Sequence, residues 1–373
     1  MSKIVVSDFD LGDTALERQM VEAAGIEFAA FGNEDDRAPE ALIEHLQDAD
    51  GAITSYGDYT AAVFQALPKL KVVSKTGTGV DNIDVAAATK SGTAVCNVPG
   101  YGTEVVSDHA IALAMCVLRR INEMDADMRQ GMWDFHKRRP LGQVQGRSFG
   151  IVGYGHIGRA TARKARGLGF DVMVWDRKGV PGRFTPEDFP YVSLDDLFAR
   201  ADIVSFHTAL TPETHHLLDA ERIATMKSDA IVINTSRGAI VDTDALAQAL
   251  VAGKLWGAGI DVFEEEPVSL DAPICKAPHT VLTPHAAYWS EETAVQLRTR
   301  CTQNAIDVVL GKKPESCVNA EVFAHWRNGL LRHSSGLRYF PVTLSAHVTA
   351  CSGVPAQTIS PPASPPPGPM SIT

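Results

Sequence analysis

An arginine, a glutamate and a histidine that could do chemistry together follow predicted strands in the second half of the sequence. Arg237 and His285 each come just after the end of a predicted strand, and Glu266 lies in an acidic run between them. In an open α/β sheet ligands bind beyond the carboxyl ends of the strands, so the three side chains could meet in one cleft. An arginine holds a carboxylate with two hydrogen bonds, a histidine transfers a proton near neutral pH, and a glutamate orients the imidazole. The set fits proton transfer on a small 2-hydroxy or 2-oxo acid.

Taken singly, each of these residues has an ordinary structural explanation. Arg237 could pair with a structural carboxylate, Glu266 could be a solvated charge, and His285 could be a loop histidine. Because functional groups are a minority of the titratable groups in a protein, any one of them alone would favour that explanation. Only the combination of the three favours catalysis. The carboxylate of the substrate would be held while a hydride is exchanged at its C2 and a proton at the oxygen on C2.

A glycine-rich turn precedes these residues in the chain. The sequence Gly153-Tyr154-Gly155-His156-Ile157-Gly158 follows an apolar strand and opens a predicted helix. Gly153 permits the tight turn, Gly155 lets the backbone approach a pyrophosphate, and Gly158 lets helix and strand pack closely. The first N–H groups of the helix then face the phosphates. This context favours a dinucleotide site over the alternative, a glycine turn that binds nothing.

Asp176 ends the next predicted strand and indicates which dinucleotide binds. Its carboxylate can accept hydrogen bonds from the adenosine ribose hydroxyls and should repel a 2′-phosphate, so NAD is favoured over NADP. Arg177 and Lys178 follow at once and weaken this preference, since either cation could attract a phosphate.

Short apolar runs alternate with helical patterns in two series, which predicts two parallel sheets with helices on both faces. A break at residues 97–100 predicts a hinge, and one long helix is predicted from Thr103 to Gln130, buried between domains or subunits. A last helix is predicted from Ser290 to Leu310. The predicted strands are Ile4–Ser7, Ile26–Ala29, Ala52–Thr54, Lys71–Ser74 and Thr93–Cys96, then Ser148–Val152, Asp171–Trp175, Ile203–Phe206, Ala230–Asn234, Gly257–Val262 and Val281–Thr283.

Composition narrows the class of protein. The 373 residues suit two domains, and the net charge of -11 disfavours nucleic acid or anionic membrane as a partner. The six cysteines have no CxxC or Cys/His metal spacing, so we expect reduced thiols and no metal. No signal peptide or membrane span is recognised, and a cytoplasmic protein is expected.

The end of the chain differs in composition from the rest. Residues 328–373 lose the helical and strand periodicity and contain a proline-rich run from Pro361 to Pro369. We expect this tail to be disordered, and we expect its deletion to leave activity intact.

Several motifs in a fixed order resemble the D-isomer-specific 2-hydroxyacid dehydrogenase family. The resemblance extends over roughly residues 1 to 325 and is highly specific, because all the motifs occur together. The segments that carry it are Gly77–Asp84, Asn97–His109, Gly150–Arg159, Ile233–Gly238, Gly257–Pro267 and Thr283–His285.

The resemblance implies a role for individual residues. His285 would be the acid/base, Glu266 its partner, and Arg237 the group that binds the substrate carboxylate. With the glycine turn, the NAD-binding residues would be Thr78, Gly153, Tyr154, Gly155, His156, Ile157, Gly158, Asp176, His207, Thr208, Thr214, Thr235, Ser236, Asp261 and His285. The substrate-binding residues would be Lys75, Gly77, Gly79, Arg237 and Tyr288.

The resemblance also implies the architecture, two doubly wound parallel-sheet α/β domains with a deep cleft between them. A Rossmann NAD-binding domain, residues 99–287, would be inserted in a flavodoxin-like substrate domain of residues 1–98 and 288–327. The cleft would close on binding. The family is usually dimeric, so a homodimer is expected, with the Thr103–Gln130 helix in its interface.

Two further segments, His215–Leu218 and His285–Glu291, look most like the branch that includes the C-terminal-binding-protein corepressors. Some members of that branch act as NAD(H)-responsive scaffolds, so a dimeric scaffold is the alternative function. An intact arginine, glutamate and histidine set favours an enzyme. Lys75 lies where that branch tends to carry a cation and could meet a second acidic group, or be a solvated lysine. Tyr288 could line a pocket for an apolar side chain, or pack the hinge.

Overall fold

The computed structural model describes residues 1–9, 11–32 and 34–325 of the chain. Its first sheet consists of β1 (Lys3–Asp8), β2 (Glu27–Ala30), β3 (Gly51–Thr54), β4 (Val72–Lys75) and β5 (Ala94–Cys96). All strand pairs are parallel and the order is β2-β1-β3-β4-β5. In the register, Val5 lies opposite both Ala29 and Ala52. The central strands are buried on both faces, which is why their sequences are apolar runs and not alternating patterns.

The second sheet is also parallel. It consists of β6 (Ser148–Val152), β7 (Asp171–Trp175), β8 (Ile203–Phe206), β9 (Ile231–Asn234), β10 (Gly257–Ile260) and β11 (Thr280–Leu282), in the order β11-β10-β9-β8-β6-β7. All eleven predicted strands are present, with small differences at their ends. The prediction of two parallel-sheet α/β domains is confirmed.

Helices cover the sheets. They are α1 (Ala15–Ala23), α2 (Pro39–His45), α3 (Ala61–Ala66), α4 (Val85–Ser91), α5 (Thr103–Arg119), α6 (Ile121–Arg129), α7 (His156–Leu168), α8 (Leu194–Arg200), α9 (Ala220–Thr225), α10 (Thr243–Val251), α11 (Pro273–Lys276), α12 (Glu291–Val309) and α13 (Val322–His325).

Helix α12 follows the second sheet in sequence but packs on the first. Leu297 and Cys301 are fully buried in one core with Ile53 and Val72 of the first sheet. The hydroxyl of Ser74 donates to the carbonyl of Cys301 at 2.8 Å. The chain therefore returns to its first sheet after completing the second.

The prediction of one long helix from Thr103 to Gln130 is wrong, because the chain breaks at Arg120. Arg120 has a left-handed backbone (φ 52°) and ends α5. For a residue other than glycine this conformation costs roughly 1–2 kcal/mol. The guanidinium of Arg120 stacks on Trp256 and lies 3.2 Å from the Glu123 carboxylate, and these contacts offset the cost. No glycine marks the break, so the local pattern could not predict it.

The expected disorder of residues 328–373 falls outside the described residues. Within the described part of the chain, no helix has the length and apolar character needed to cross a membrane.

Candidate active site

The predicted acid/base pair is joined by a short hydrogen bond after the carboxyl end of β11. Nδ1 of His285 lies 2.7 Å from Oε2 of Glu266, and the other carboxylate oxygen accepts the backbone N–H of Phe263 at 2.8 Å. The side chains of His285 and Glu266 are 27% and 32% exposed. Nε2 of His285 has no hydrogen bond to any described residue. It is therefore the ring nitrogen that can exchange a proton with a ligand.

The buried carboxylate of Asp261 holds the loop that carries His285. Oδ1 accepts the hydroxyl of Thr283 at 2.6 Å and the N–H of Ala286 at 2.9 Å, and Oδ2 accepts the N–H of Ala287 at 3.0 Å. The N–H of His285 donates to the Asp261 carbonyl at 2.7 Å. These bonds stabilise a left-handed backbone at His285 (φ 51°), which residues other than glycine seldom adopt. Asp261 thus positions the acid/base, in addition to its predicted place in the cofactor site.

Arg237 follows β9 and reaches the loop after β4. Its Nε lies 3.1 and 3.3 Å from the two carboxylate oxygens of Asp81, and its Nη1 donates to the carbonyl of Ser236 at 2.8 Å. A Cβ on Gly79 would overlap Nη2 of Arg237, so a larger residue there would require the guanidinium to move. The Arg237 side chain is 30% exposed, which leaves it accessible to a carboxylate.

The carboxylates of the site are held in their charged form. Burial alone would raise the pKa of Glu266, but the hydrogen bond and charge of His285, the N–H of Phe263 and the charge of Arg237 together lower it. Burial would likewise raise the pKa of Asp81, and the charge of Arg237 and the hydrogen bonds to that carboxylate together lower it. A fixed negative charge therefore lies beside the His285 imidazole at neutral pH.

The glycine turn lies between β6 and α7, as its sequence context predicted. Gly153 has φ 98°, and a Cβ there would approach the backbone of His207 to 2.8 Å. A Cβ on Gly158 would overlap the carbonyl of Gly153. By contrast, a Cβ on Gly155 would meet no atom within 4 Å, so this residue borders open space. The turn can therefore approach a ligand closely at Gly155.

A cavity of about 710 Å³ opens beside this turn. The predicted cofactor residues that line it are Gly153, Tyr154, Gly155, Asp176, Thr208 and Thr214. The carboxylate of Asp176 accepts the N–H of Tyr154 at 3.0 Å and the N–H of Lys178 at 2.9 Å. Arg159, Arg177 and Lys178 also line the cavity, and these cations suit a dinucleotide that carries phosphates.

Two buried polar atoms at the carboxyl edge of the second sheet have no partner among the described residues. They are Nδ1 of His207, after β8, and Oγ1 of Thr235, after β9. Burial lowers the pKa of His207 to about 3, so its imidazole is neutral and can accept or donate a hydrogen bond. Since buried polar atoms are rarely left unbonded, these two fit hydrogen bonds to a bound cofactor. With the glycine turn, the residues present fit NAD.

Other predicted cofactor residues lie away from this cavity. His156 and Ile157 begin α7, and neither they nor Gly158 line it. The hydroxyl of Thr78 donates to a backbone carbonyl after β5 at 3.2 Å, and that of Ser236 to a side-chain oxygen two residues before it at 3.0 Å. Their contacts with a cofactor remain predictions.

The predicted substrate residues border the loop after β4 and the acid/base. Nζ of Lys75 lies 3.5 Å from the position that a Cβ on Gly77 would take. The ring of Tyr288 is perpendicular to that of His285, with centroids 5.9 Å apart, and also contacts Trp289.

Four residues of this region received no role from the sequence. Asp81 pairs with Arg237, and Nε2 of His109 lies 3.0 Å from Oγ1 of Thr283. The other two, Arg37 and Tyr56, lie near Lys75. Both come soon after β2 and β3, so the carboxyl-end rule would have found them had it been applied to the first series of strands.

Comparison with known proteins agrees with this geometry. Residues 111–287 match the family model described as D-isomer specific 2-hydroxyacid dehydrogenase, NAD binding domain. A glyoxylate reductase of Korarchaeum cryptofilum is 42% identical over 300 residues, which cover 77% of this chain and 89% of the relative. A glyoxylate reductase structure from Paecilomyes thermophila is similar with a TM-score of 0.76 and 28% identity, covering 86% of this chain and 99% of that one. A D-lactate dehydrogenase with NAD+ from Lactobacillus jensenii has a TM-score of 0.66 and 25% identity, covering 85% and 99%.

These similarities confirm the family on which the predicted site was based, whereas the corepressor-like branch stays a prediction. They also agree with the glycine turn and the unpartnered polar atoms that fit a dinucleotide. The chain belongs to the D-isomer specific 2-hydroxyacid dehydrogenase family and is an NAD-dependent enzyme of that family.

Proposed function

We propose that the chain reduces a small 2-oxo acid to the 2-hydroxy acid, in the D form where C2 becomes a stereocentre, and catalyses the reverse oxidation. The observation that carries this proposal is the 2.7 Å hydrogen bond between His285 and Glu266, beside the edge that holds Arg237. Relatives named as glyoxylate and glyoxylate/hydroxypyruvate reductases support substrates of two or three carbons.

Arg237 binds the substrate carboxylate in this mechanism. Its guanidinium is accessible, and Gly79 lets the loop after β4 approach it closely. Two N–H groups of a guanidinium match the two oxygens of a carboxylate, which fixes the orientation of the acid. The N–H groups around Gly77 and Gly79 can hold the same carboxylate.

His285 exchanges the proton. In reduction Nε2 donates a proton to the carbonyl oxygen as C2 gains the hydride, and in oxidation it takes that proton back. Glu266 orients the ring through Nδ1 and stabilises the imidazolium, because its pKa is held low and it stays charged. NADH, when bound, would supply the hydride and become NAD+, and this hydride together with the proton from His285 would complete the two-electron, two-proton reduction.

The cofactor site follows from the edge of the second sheet. The turn at residues 153–158 would hold the pyrophosphate, and Asp176 would accept the ribose hydroxyls. Thr235 and His207 have buried polar atoms with no hydrogen-bond partner in the described part of the chain, and these atoms suit the cofactor's polar groups. Arg177 and Lys178 line the same cavity and can attract a 2′-phosphate. We therefore expect some activity with NADPH, at a lower level than with NADH.

We also propose the division into a substrate domain, residues 1–98 and 288–327, and an NAD domain, residues 99–287. The core shared by the first sheet and α12 supports it. A cytoplasmic homodimer is proposed as well. The exposed apolar side chains of Ile121, Met128 and Trp133, beside α5, support an interface there. Sedimentation analysis of the purified chain tests the dimer, and a monomer at micromolar concentration would refute it.

The experiment that tests the function is NADH consumption with glyoxylate, hydroxypyruvate and longer 2-oxo acids, with NADPH in parallel. Rapid consumption with at least one acid, and D-glycerate as the product from hydroxypyruvate, is expected. Tight NADH binding without turnover of any acid would contradict the proposal and favour an NAD(H)-responsive scaffold.

A further inference from the structure

We propose that His109 is a positioning residue that holds the loop of the acid/base in place through Thr283 and Asp261. The inference rests on the proposed function, since it adds a residue to the machinery of the same site. His109 lies in α5, whereas Thr283 follows β11 and Asp261 follows β10. Its effect on catalysis therefore depends on how this helix meets the two strand ends.

Close packing of α5 against β10 brings His109 to the carboxyl edge of the second sheet. A Cβ on Gly257 would lie 2.7 Å from a methyl group of Val117, and a Cβ on Gly259 would lie 2.8 Å from Cβ of Leu113. Four helix residues advance about 6 Å and two strand residues about 6.6 Å, so the two spacings match. The next step of four residues back along the helix places His109 beside the residue that follows β10.

That residue is Asp261, and a hydroxyl group connects it to His109. Nε2 of His109 is 3.6 Å from Oδ1 of Asp261, which is too far for a direct hydrogen bond. The same Nε2 is 3.0 Å from Oγ1 of Thr283, and this hydroxyl donates to Oδ1 of Asp261 at 2.6 Å. The histidine therefore acts on the carboxylate through the threonine.

Proton counting fixes the direction of both hydrogen bonds. The Asp261 carboxylate also accepts the N–H groups of Ala286 and Ala287, so it acts as an acceptor throughout. The single hydroxyl proton of Thr283 is used on this carboxylate. The Thr283 oxygen must then accept a proton from His109, which assigns that proton to Nε2. Since a hydroxyl that accepts one hydrogen bond donates the next more strongly, His109 reinforces the bond to Asp261.

The strength of this hydrogen-bond chain determines how firmly the acid/base is held. The side chain of Asp261 is 1% exposed, so water is poorly placed to replace a bond lost there. The carboxylate and the carbonyl of Asp261 together hold the loop in which His285 has its left-handed backbone. A displacement of about 1 Å in a catalytic group can cost about 100-fold in rate. Loss of His109 should therefore slow the chemical step and leave carboxylate binding by Arg237 intact.

The first test compares His109→Leu, which removes the donor, with His109→Gln, whose amide can donate from a similar position. Rates are measured with NADH and the faster of glyoxylate and hydroxypyruvate. His109→Leu should lower kcat about tenfold or more and leave KM for the acid within about twofold of the parent value. His109→Gln should retain most of the kcat. Equal losses of kcat in the two variants, or a higher KM at unchanged kcat, would overturn the proposal.

Turnover by the parent protein tests the proposed function separately. If the parent reduces the acid and His109→Leu does so with the same kcat, the positioning role is refuted while the proposed function stands.

The second test determines whether His109 and Thr283 act as one unit. Thr283→Val removes the hydroxyl and should lower kcat by about the same factor as His109→Leu, whereas Thr283→Ser should retain most of it. In the double variant His109→Leu/Thr283→Val the two losses should not multiply, and kcat should match the slower single variant within about twofold. A loss equal to the product of the single losses would show that the two side chains act independently, and would refute the hydrogen-bond chain.

His45→Leu is the matched control for the loss of a partly buried histidine. His45 ends α2, stacks on Phe31 with ring centroids 3.7 Å apart and lies 3.8 Å from a carboxylate oxygen of Asp36. The change should lower thermal stability and leave kcat unchanged. Fluorescence titration with NADH counts the cofactor-binding sites in every variant, so that kcat is expressed per site. A loss of kcat per site in His45→Leu as large as that in His109→Leu would overturn the assignment to His109.

Discussion

The last strand of the second sheet, β11, is flanked by a histidine at each end, and the two histidines are nearly alike. His279 and His285 have left-handed backbones, with φ of 59° and 51°. Each places Nδ1 against a carboxylate, Glu123 at 2.9 Å and Glu266 at 2.7 Å. What surrounds each pair is different.

At the amino end of β11, Glu123 is shared with two arginines. Arg120 lies 3.2 Å from it and Arg138 lies 3.0 Å from it, and Arg120 also contacts His279. At the carboxyl end, Glu266 accepts one further hydrogen bond from the described residues, from the N–H of Phe263, and the pair borders the predicted substrate and cofactor residues. The same local geometry is therefore structural at one end and suited to catalysis at the other. The ends differ because the loops of a parallel sheet build the ligand site only at its carboxyl edge.

Exchanging the two histidines for glutamine should separate these roles most sharply. His285→Gln should lower kcat by about 1000-fold, since general acid–base catalysis contributes roughly 10²–10⁴. NADH binding, followed by fluorescence, should be retained. His279→Gln, which loses the same type of pair, should keep turnover near that of the parent. A loss of less than tenfold in His285→Gln would exclude this histidine as the acid/base.

The two arginines that bind carboxylates come next. Arg237→Lys should lower kcat/KM by about 100-fold, because an ammonium cannot make the two parallel bonds of a guanidinium. Arg138 makes such a pair with Asp127, with both bonds at 2.6 Å, and is the matched control. Arg138→Lys should leave kcat/KM unchanged and lower stability instead. Comparable kcat/KM losses in both variants would indicate a general effect on the fold.

The effect of the Glu266 carboxylate on His285 can be measured through the pH dependence of the reduction rate. Glu266→Gln removes the negative charge beside His285, so the basic limb of the reduction profile should move to lower pH. In the parent protein the lowered pKa of Glu266 keeps this carboxylate charged at pH values below its ordinary range as well. The stability that this charge provides is present above that range and is lost as pH falls through the lowered pKa. Initial rates from pH 5 to 10 measure the position of this basic limb. A limb at the same pH in Glu266→Gln and in the parent protein would argue against the electrostatic role of Glu266.

The smallest effect on activity is expected from Glu123→Gln. This change leaves Arg120 without its carboxylate partner and Arg138 with Asp127 alone, and should lower the free energy of unfolding by about 1–3 kcal/mol. Activity at low temperature should be preserved. Urea unfolding and initial rates measured on the same samples test this. A loss of turnover without loss of stability would link the residues at the amino end of β11 to catalysis.

Much of the fold was predictable from the sequence because its signals are local. The apolar runs of the eleven strands, the glycine spacing at 153–158 and the positions of Arg237, Glu266 and His285 after strands all appear within short windows. Rules about helix and strand periodicity, and about where ligands bind on a parallel sheet, need only these windows.

Tertiary structure decided what depends on neighbours distant in sequence. The left-handed break at Arg120 is stabilised by the ring of Trp256, which is distant in sequence. The bond between Arg237 and Asp81 joins residues 156 positions apart. The sharing of Tyr56 by Arg37 and Lys75 likewise needed the folded sheet. Side-chain pairing energies depend on which groups come together and how they are hydrated, so residue types alone could name candidates but could not assign their partners.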